Sequence, residues 1–522
     1  MDRLPIKRAL ISVSDKFGLS GFARVLAESG VKIYSTGGTG RYLRDEGLEV
    51  HEVSNYTGFP EMMDGRLKTL HPKVFGGILA RREREDDMAA LATHAMVPFE
   101  LVIVNLYPFE ATIQREGVKL EEAIEQIDIG GPSLVRAAAK NHAYVTVATH
   151  SEQYAAILRE LSEQGTTSLQ LRQRLAGDAF AHTASYDRAI ADYFESLESG
   201  NLFPPSLNVA LEQRALLRYG ENPHQKASLY VEQGTRGANV VNARKLNGKE
   251  LSYNNLMDLD SALAIVRLLP DAGAVVIKHT NPCGAASAET LAEATRHALD
   301  GDPVSAFGSV LGFNHRVDRA TAEVLADPGL FIEGIVAPGF DEAAMEILTT
   351  RPKWKRNVRL MEMGELNTPP AAIHYRYIDG GMLVQEADIH EDDEAQWHVP
   401  TERNPTSEQL AELRFAWTIG RGVKSNAIVL SKNRRLCGVG AGQMSRVDSV
   451  DLSIRKAGDR ASGCVLASDA FFPFPDSIQK AAESGIVAVI QPGGSRRDQE
   501  VIDACNEYNL PMIFTGRRHF KH

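Results

Sequence analysis

A chain of 522 residues is too long for one hydrophobic core, and at about 150 residues per domain it predicts three or four folding units. Its composition, 43% hydrophobic and 24% charged, is that of an ordinary globular protein and excludes a disordered or low-complexity chain. The formal net charge of −11 disfavours bulk binding to nucleic acid or to an anionic membrane, so any anion site has to be local, made of a few Lys, Arg and backbone N–H groups.

From residue 8 the pattern alternates strand and helix. RALISV reads as a buried strand, residues 18–29 as a helix with Phe22, Val25 and Leu26 at helical spacing, and VKIYS as a second strand. TGGTG is a loop, RYLRDEG a short helix and EVHEVS a third strand. Strands separated by short helices predict a parallel sheet with crossover helices. The pattern recurs in LVIVNLYPF, a strand running into a loop, in the helices LEEAIEQI and SLVRAAAKN, and in the strand AYVTVAT, so the first α/β unit closes near His150. Residues 151–200 read as helical, and NLFPPSLN, with its Pro-Pro dipeptide, is the expected boundary. Beyond it RYGENPHQ reads as following a helical stretch, strands are expected at GAVVIKH, SVLGFN and GIVAPG, and residues 351–404 as an irregular charged linker or excursion. A helix around LAELRFAWTI and strands at NAIVLSK, CGVGAGQ, CVLASDA, AVIQPG and PMIFTG complete the chain. No repeat is visible in the sequence, yet residues 209–370 and 371–522 are candidates for two similar α/β halves.

The N-terminus lacks an apolar stretch long enough for a signal peptide, and the apolar runs have strand length, too short to span a bilayer. Cys283, Cys437, Cys464 and Cys505 are scattered without a CxxC pair. This fits free thiols in a reducing compartment, and the expected location is the cytoplasm.

In the first unit several unusual segments sit at strand ends, where α/β sheets hold ligands. SVSDK, with Ser12, Ser14 and Lys16, follows the first strand, and STGGTG follows the second and opens a helix. Glycines permit close approach of an anion, and a helix N-terminus directs N–H groups at it; a tight turn is the bland alternative. Residues 65–73, GRLKTLHPK, pack cations, a Thr and a His into a Gly- and Pro-bounded loop. IDIGGPSLVRAAAKNH places Ser133, Arg136 and Lys140 on one helix face. The three alanines suggest a buried helix, in which Lys140 needs a partner, with Asp128 the nearest candidate.

In the second region, VVIKHTNPCGAA runs a buried strand into Lys278 and His279. A lone His beside a strand is by default a core residue, but Lys and His together at a strand end suit proton transfer. Pro282-Cys283 has part of the PCxxC of zinc deaminases, but the second Cys and the HxE are missing, so a zinc site is rejected. SDAFFPFPD interleaves polar residues with rings, and Pro473 and Pro475 argue against a regular strand, so at least one of Phe471, Phe472 and Phe474 is expected to line a cleft.

Taken in order, SVSDK, STGGTG, GRLKTLHPK, NLYPF, IDIGG, RAAAKNH, RYGENPHQ, KHTNPCG, SAFGS, GAGQ-SR, SDAFFPF and the terminal RHF cover nearly the whole chain. The chain closely resembles the AICAR transformylase/IMP cyclohydrolase family. The resemblance implies an α/β fold with a methylglyoxal-synthase-like parallel-sheet domain (1–200, core 1–150), followed by a transformylase region (201–522) of two cytidine-deaminase-like domains. It implies formyl transfer from 10-formyltetrahydrofolate, as co-substrate, to AICAR, then closure of formyl-AICAR to IMP with loss of water. No zinc is implied, and a monovalent cation is not readable. The family works as a homodimer with shared transformylase sites, and neither nucleic acid nor membrane is a partner. Carried over by residue, Ser12, Ser14, Lys16, Ser35, Thr36, Gly37, Gly38, Thr39, Arg66, Thr69 and Asn105 match cyclohydrolase substrate positions, and Lys68, Tyr107, Asp128 and Lys140 the catalytic set. In the transformylase, Lys278, His279 and Asn426 match catalytic positions. Arg218, Tyr219, Phe307, Gly308, Glu333, Gln443, Arg446, Phe471, Phe474, Asp476 and Arg518 match ribotide or folate positions. Glu333 stands where other members carry Asp, and Pro475 where they carry Arg. Two other readings make different expectations: a module that only senses a phosphorylated effector would bind without turnover, and a zinc deaminase would carry metal.

Overall fold

The strand Arg8–Ser12 has three consecutive apolar residues and none to spare for water, so it belongs inside a sheet covered on both faces. The computed structural model describes residues 3–115, 117–197, 202–232, 235–367 and 371–522. It divides into Met1–Leu207 and Asn208–His522. Residues 198–201 and 368–370, on which the expected boundaries at 200 and 370 fall, lie outside the described residues.

In the first unit five parallel strands lie in the order Val50–Glu52, Lys32–Ser35, Arg8–Ser12, Leu101–Val104, Thr146–Ala148. The chain winds outward from Arg8–Ser12 in one direction and then returns to its other side. The crevice past the carboxyl ends of Arg8–Ser12 and Leu101–Val104 is therefore a topological switch point, the place where such sheets bind ligands. Leu10, Ile11, Ile33, Val102, Ile103 and Val147 form the core, closed by Leu26, Leu134, Ala138 and Leu175 from the surrounding helices.

The second unit holds two sheets that share one five-strand topology, with Arg244–Asn247 added at the edge of the first. In the first, the strands run Arg244–Asn247, Arg359–Glu362, Ile332–Ala337, Ser309–Phe313, Ala272–Lys278, Asn281–Ala288; in the second, Met512–Phe514, Ala488–Gln491, Val465–Ser468, Ile428–Ser431, Leu436–Gly440. Each ends in an antiparallel hairpin, whose inner strand pairs antiparallel with a strand that begins a parallel run. Each hairpin is preceded by a helix with a capping box, Tyr253–Val266 after Ser252 and Ser407–Gly420 after Thr406. Strand alternation sorts the side chains: Val275 and Ile277 join Leu259, Leu263, Leu413 and Trp417 in a core shared by both halves, while Ala274 and Val276 face an outer core.

Two expectations are corrected here, and one further strand is added. The segment before RYGENPHQ is a strand, Leu211–Leu217, not a helix. The strand Arg359–Glu362 lies within the stretch read as linker and completes a sheet. The residues after His279 are also a strand, Asn281–Ala288; Pro282 is tolerated because the strand is at the sheet edge and the register shifts beside it. Two ribbons, Leu211–Leu217 with Ala227–Glu232 and Ile373–Ile378 with Gly381–Glu386, stand outside the main sheets. Among the described residues no helix is long and apolar enough to cross a membrane.

Candidate active sites

At the switch point of the first unit the loops after the two central strands are tied together by Asn105. Its Oδ1 accepts from the Ser14 backbone N–H at 2.5 Å and the Ser14 hydroxyl at 2.9 Å, and its Nδ2 donates to the Asp15 carbonyl at 2.9 Å. Lys16 Nζ donates to the Ser14 carbonyl at 3.3 Å, and Ser12 closes the central strand. Ser35 is fully buried and its hydroxyl donates to the Ile11 carbonyl at 2.7 Å. Thr39 Oγ1 exchanges hydrogen bonds with the backbone of Val13, accepting at 3.1 Å and donating at 2.9 Å. Ser35, Thr39 and Asn105 thus brace the loops.

The helix Gly37–Asp45 begins here, and its N-cap, Thr36, makes no side-chain capping bond. The first-turn N–H groups of Gly37, Gly38 and Thr39 therefore retain capacity for an anion. Gly37 has φ of +47°, and a Cβ there would come within 2.9 Å of Lys68 Nζ, so the lysine stands directly over the helix N-terminus. Lys68 also pairs with Glu61 at 3.1 Å.

Asp128 lies close enough to Lys68 for the two charges to act on each other. Burial raises its carboxyl above the ordinary range, opposed by the backbone N–H groups of Gly131, Tyr107 and Gly130 and by the charge of Lys68. The Gly131 N–H donates to Oδ1 at 2.8 Å, and a Cβ on Gly131 would overlap the carboxylate. Thr69 is buried, with Oγ1 against Gly130, and Tyr107, whose backbone N–H faces Asp128, has an exposed side chain. Lys68, Thr69, Tyr107, Asp128 and the Thr36–Thr39 turn therefore converge. Arg66 faces Glu125, to which it donates in a two-point ion pair, and this pair lowers the Glu125 carboxyl.

Lys140 does not join them. It ends the helix Gly130–Lys140, whose opposite end faces Asp128, about 15 Å away by helical rise. It is exposed, as is Arg136, whose guanidinium stacks over Phe180 at 5.6 Å. The expectation of a buried Lys140 paired with Asp128 is corrected: Ala137, Ala138 and Ala139 are buried, but the helix is amphipathic and 136 and 140 share its solvent face.

In the second unit His279 and Thr280 form the two-residue loop of the hairpin between Ala272–Lys278 and Asn281–Ala288. Both have positive φ, 52° and 63°. Lys278 Nζ donates to the carbonyls of Phe307 and Gly308 at 2.8 and 2.9 Å, leaving its third N–H for a ligand. Phe307 is exposed and its ring lies tilted against that of Phe331, with centroids 5.4 Å apart. The Asn281 side chain accepts from the Lys424 N–H at 3.0 Å, which docks the hairpin two residues from Asn426.

Asn426 is held at every polar atom. Nδ2 donates to the carbonyls of Gln443 and Met444 at 2.9 and 3.2 Å, and Oδ1 accepts from Arg446 at 2.7 Å. Arg446 is buried and also donates to Asp469 at 2.5 Å and Ser468 at 2.8 Å. A cleft of about 500 Å³ opens beside them, lined by Asn426, Arg446, Phe471, Phe474, Asp476 and Arg518 among others. Phe472 is core, while Phe471 and Phe474 are exposed to the cleft. Arg497 stacks over Phe474 at 4.6 Å and Arg518 over Phe520 at 4.3 Å.

Other predicted residues do not line the cleft. Glu333 pairs with the buried Arg359 at 2.7 Å. Gln443 turns its amide back to the Ala441 carbonyl at 3.0 Å. Arg218 and Tyr219 stack on each other at 4.6 Å at the end of an exposed ribbon.

Sequence reasoning missed three groups. Asp469 lies inside SDAFFPF and only the buried guanidinium beside it gives it meaning. His519, in the terminal RHF, is buried between Asp388 at 2.5 Å and Asp392 at 3.1 Å. Asp258 accepts from the Thr280 N–H at 2.7 Å; burial raises its carboxyl, opposed by that bond and by the charges of His279 and Lys278. All four cysteines are buried and free, and Cys283 points its thiol at the Val276 carbonyl. Among the described residues no group of three His, Cys, Asp or Glu is arranged to hold a metal ion.

Fold and sites together describe an α/β chain of two units, with a helix N-terminus and polar side chains gathered at the switch point of one and a Lys-His hairpin and an aromatic cleft in the other, which has two similar halves. The AICARFT/IMPCHase bienzyme family matches residues 138–456 and the MGS-like domain matches residues 18–133. The chain is 58% identical to the bifunctional purine biosynthesis protein PurH of Rhodopirellula baltica over 100% of both chains. It is 47% identical to PurH of Bacillus subtilis, covering 99% of this chain and 100% of that one, and 50% identical to PurH of Synechocystis sp., covering 98% and 99%. The crystal structure of ForH is 34% identical over 36% of this chain and 97% of its own, with a TM-score of 0.34. The chain belongs to the AICARFT/IMPCHase bienzyme family: it is a bifunctional enzyme of purine biosynthesis, a formyltransferase and an IMP cyclohydrolase.

Proposed function

We propose that residues 1–207 carry the cyclohydrolase and residues 208–522 the transformylase. The observation that supports this division is that Lys68, Thr69, Tyr107, Asp128 and the Thr36–Thr39 turn meet within the first unit, whereas the Lys278-His279 hairpin and the aromatic cleft both lie within the second.

In the second unit AICAR receives its formyl group from 10-formyltetrahydrofolate. The amine of AICAR is a weak nucleophile because its lone pair is conjugated with the ring, so attack on the formyl carbon requires proton removal. His279, exposed at the hairpin tip, takes that proton. Lys278, with two N–H bonds already directed to Phe307 and Gly308, offers its third to the tetrahedral oxyanion. Asn426, fixed by Arg446, presents a carbonyl lone pair as an orienting acceptor, and Phe471, Phe474, Asp476 and Arg518 line the space for flat heterocycles and their charged groups.

In the first unit the carboxamide nitrogen of formyl-AICAR attacks the formyl carbon and water leaves. The reacting groups are already tethered, so the protein chiefly selects a rotamer and stabilises charge. Lys68 serves the developing oxyanion, the Thr36–Thr39 turn and SVSDK bind the phosphate, and Tyr107 and Asp128 move protons. An Asp whose carboxyl is raised by burial is suited to exchange one.

The enzyme works as a homodimer in the cytoplasm. Supporting the dimer, the two ribbons expose Leu216 (78%) and Tyr377 (84%). An isolated two-stranded ribbon with bare apolar residues is marginal without a covering surface. The dividing experiment uses the full chain: His279→Ala should lose formylation and keep cyclisation, and Lys68→Ala the reverse. Parallel loss of both activities in folded variants would refute the division.

A further inference from the structure

The two halves of the second unit share a device that the sequence hides. In the first half, Asp258, six residues after the N-cap Ser252, accepts the N–H of Thr280, the second residue of the hairpin loop, at 2.7 Å across a separation of 22 residues. In the second half, Glu412, six residues after the N-cap Thr406, accepts the N–H of Arg434 at 2.7 Å, also across 22 residues. The loop backbones match as well: His279 and Thr280 have φ of 52° and 63°, Asn433 and Arg434 of 55° and 52°. A lysine closes each hairpin from the far side, Lys278 on the carbonyls of Phe307 and Gly308 and Lys432 on that of Ser462 at 3.0 Å. The duplicated parts are the carboxylate, the loop and the lysine; the histidine is in one copy only.

Two consecutive left-handed residues suit a two-residue hairpin loop, but the residues that adopt them readily are Asn and Gly. The β-branched Thr280 is a poor choice for such a position, and a strained backbone persists only where its surroundings hold it. The carboxylate supplies that hold, because it fixes the one loop N–H that faces the helix. We propose that Asp258 is the positioning residue for His279: by binding the Thr280 N–H it locks the loop that aims the imidazole. The proposal rests on the reading of His279 as the proton acceptor in formyl transfer.

The test compares full-length Asp258→Ala, Asp258→Asn, Glu412→Ala, His279→Ala and the double variant Asp258→Ala/Thr280→Gly. Each preparation is assayed by steady-state formylation of AICAR and, separately, by cyclisation of formyl-AICAR. Asp258→Ala should lower transformylase kcat about 10–10²-fold, the scale of a small misplacement of a reacting group, with KM for AICAR and cyclisation little changed. Asp258→Asn, which keeps an oxygen acceptor, should stay within a few-fold of the parent. Thr280→Gly, which adopts positive φ without strain, should restore most of the activity lost in Asp258→Ala. Glu412→Ala breaks the same bond in the half without a histidine and should leave transformylase kcat within a few-fold. Should Asp258→Ala prove too unstable to assay, the Asn variant and the Gly-rescued double variant decide by themselves. Normal kcat in Asp258→Ala alongside an inactive His279→Ala overturns the proposal. So does an Asn variant as impaired as the Ala variant, which would make the charge the active feature, or a Glu412→Ala variant equally slow. If His279→Ala formylates normally, the underlying reading of His279 fails, and the proposal with it.

Discussion

Removing the His519 imidazole should destabilise the second unit by an amount that shrinks as pH rises. His519 is 2% exposed and sits between Asp388 and Asp392. The Trp417 and His519 rings meet edge to face with their centroids 5.2 Å apart, and Arg421 and Arg517 each lie 3.6 Å from one of the carboxylates. Burial pulls the imidazole pKa down, but the bonds and charges of Asp388 and Asp392 outweigh it, and the net direction is up. Burial likewise raises the two carboxyls, and His519 brings both below their ordinary value. A raised histidine contributes stability that is complete below its unfolded pKa near 6.5 and lost as pH climbs through its folded pKa. The lowered carboxyls contribute stability that is present above about 3.8 and lost as pH falls through their folded values. The clamp is therefore fully effective between about pH 4 and 6.5. The Asp392 side chain is 9% exposed, so its bond is credited at about 1.5–3 kcal/mol. Asp388 is 50% exposed and screened by solvent, so it adds about 0.2–1 kcal/mol. His519→Ala should thus cost roughly 2–4 kcal/mol near pH 6. Urea unfolding followed by tryptophan fluorescence reads this directly, because Trp354, Trp397 and Trp417 all lie in the second unit. The reasoning fails if the gap between parent and variant is independent of pH, or widens from pH 6 to pH 9. The clamp also bears on activity, since His519 anchors the segment that places Arg518 and Phe520 in the cleft.

Two further outcomes follow from the first unit and the thiols. Lys68→Ala should cut cyclohydrolase kcat by about 10²–10³-fold, the scale of one oxyanion donor, with a modest change in KM, whereas Arg66→Ala should chiefly raise KM for formyl-AICAR; steady-state kinetics on both variants separate the roles. Burial pushes Cys283 and Cys505 up to about 12, and all four thiols are buried, so a thiol reagent at pH 8 should label none rapidly in the native enzyme and all four after denaturation; a fast-reacting native Cys283 would contradict this.

What the sequence discloses and what it hides have physical causes. The parallel sheet of the first unit was legible because buried strands are continuous apolar runs and the glycine loops mark their ends. Strand Asn281–Ala288 was not, because its Pro and Gly residues look like breakers until the sheet edge and the shifted register are known. LEQRALL carries strong helix formers, yet its segment is paired in a ribbon, and local propensity is a weak prior against such pairing. Lys140 was misplaced for a related reason: alanine fits either face of a helix, so AAA does not say which way its neighbours point. The Gly37–Lys68–Asp128 grouping joins residues far apart in the chain; their segments stand out separately in the sequence, but only the family resemblance gives them one site. Asp258 and Glu412 were invisible because the duplicated halves retain their topology and their hydrogen bonds without a readable repeat.

The central claim is that two chemically separate centres act in sequence on one substrate. Supplying AICAR and 10-formyltetrahydrofolate to the full-length Lys68→Ala variant, and resolving products by chromatography, tests it most directly. The account predicts that the parent accumulates IMP, that Lys68→Ala accumulates formyl-AICAR at the parent's initial rate of AICAR consumption, and that adding His279→Ala to the same chain abolishes formyl-AICAR. Continued IMP formation by Lys68→Ala at the parent rate, or a Lys68→Ala enzyme that fails to consume AICAR while remaining folded, would contradict it.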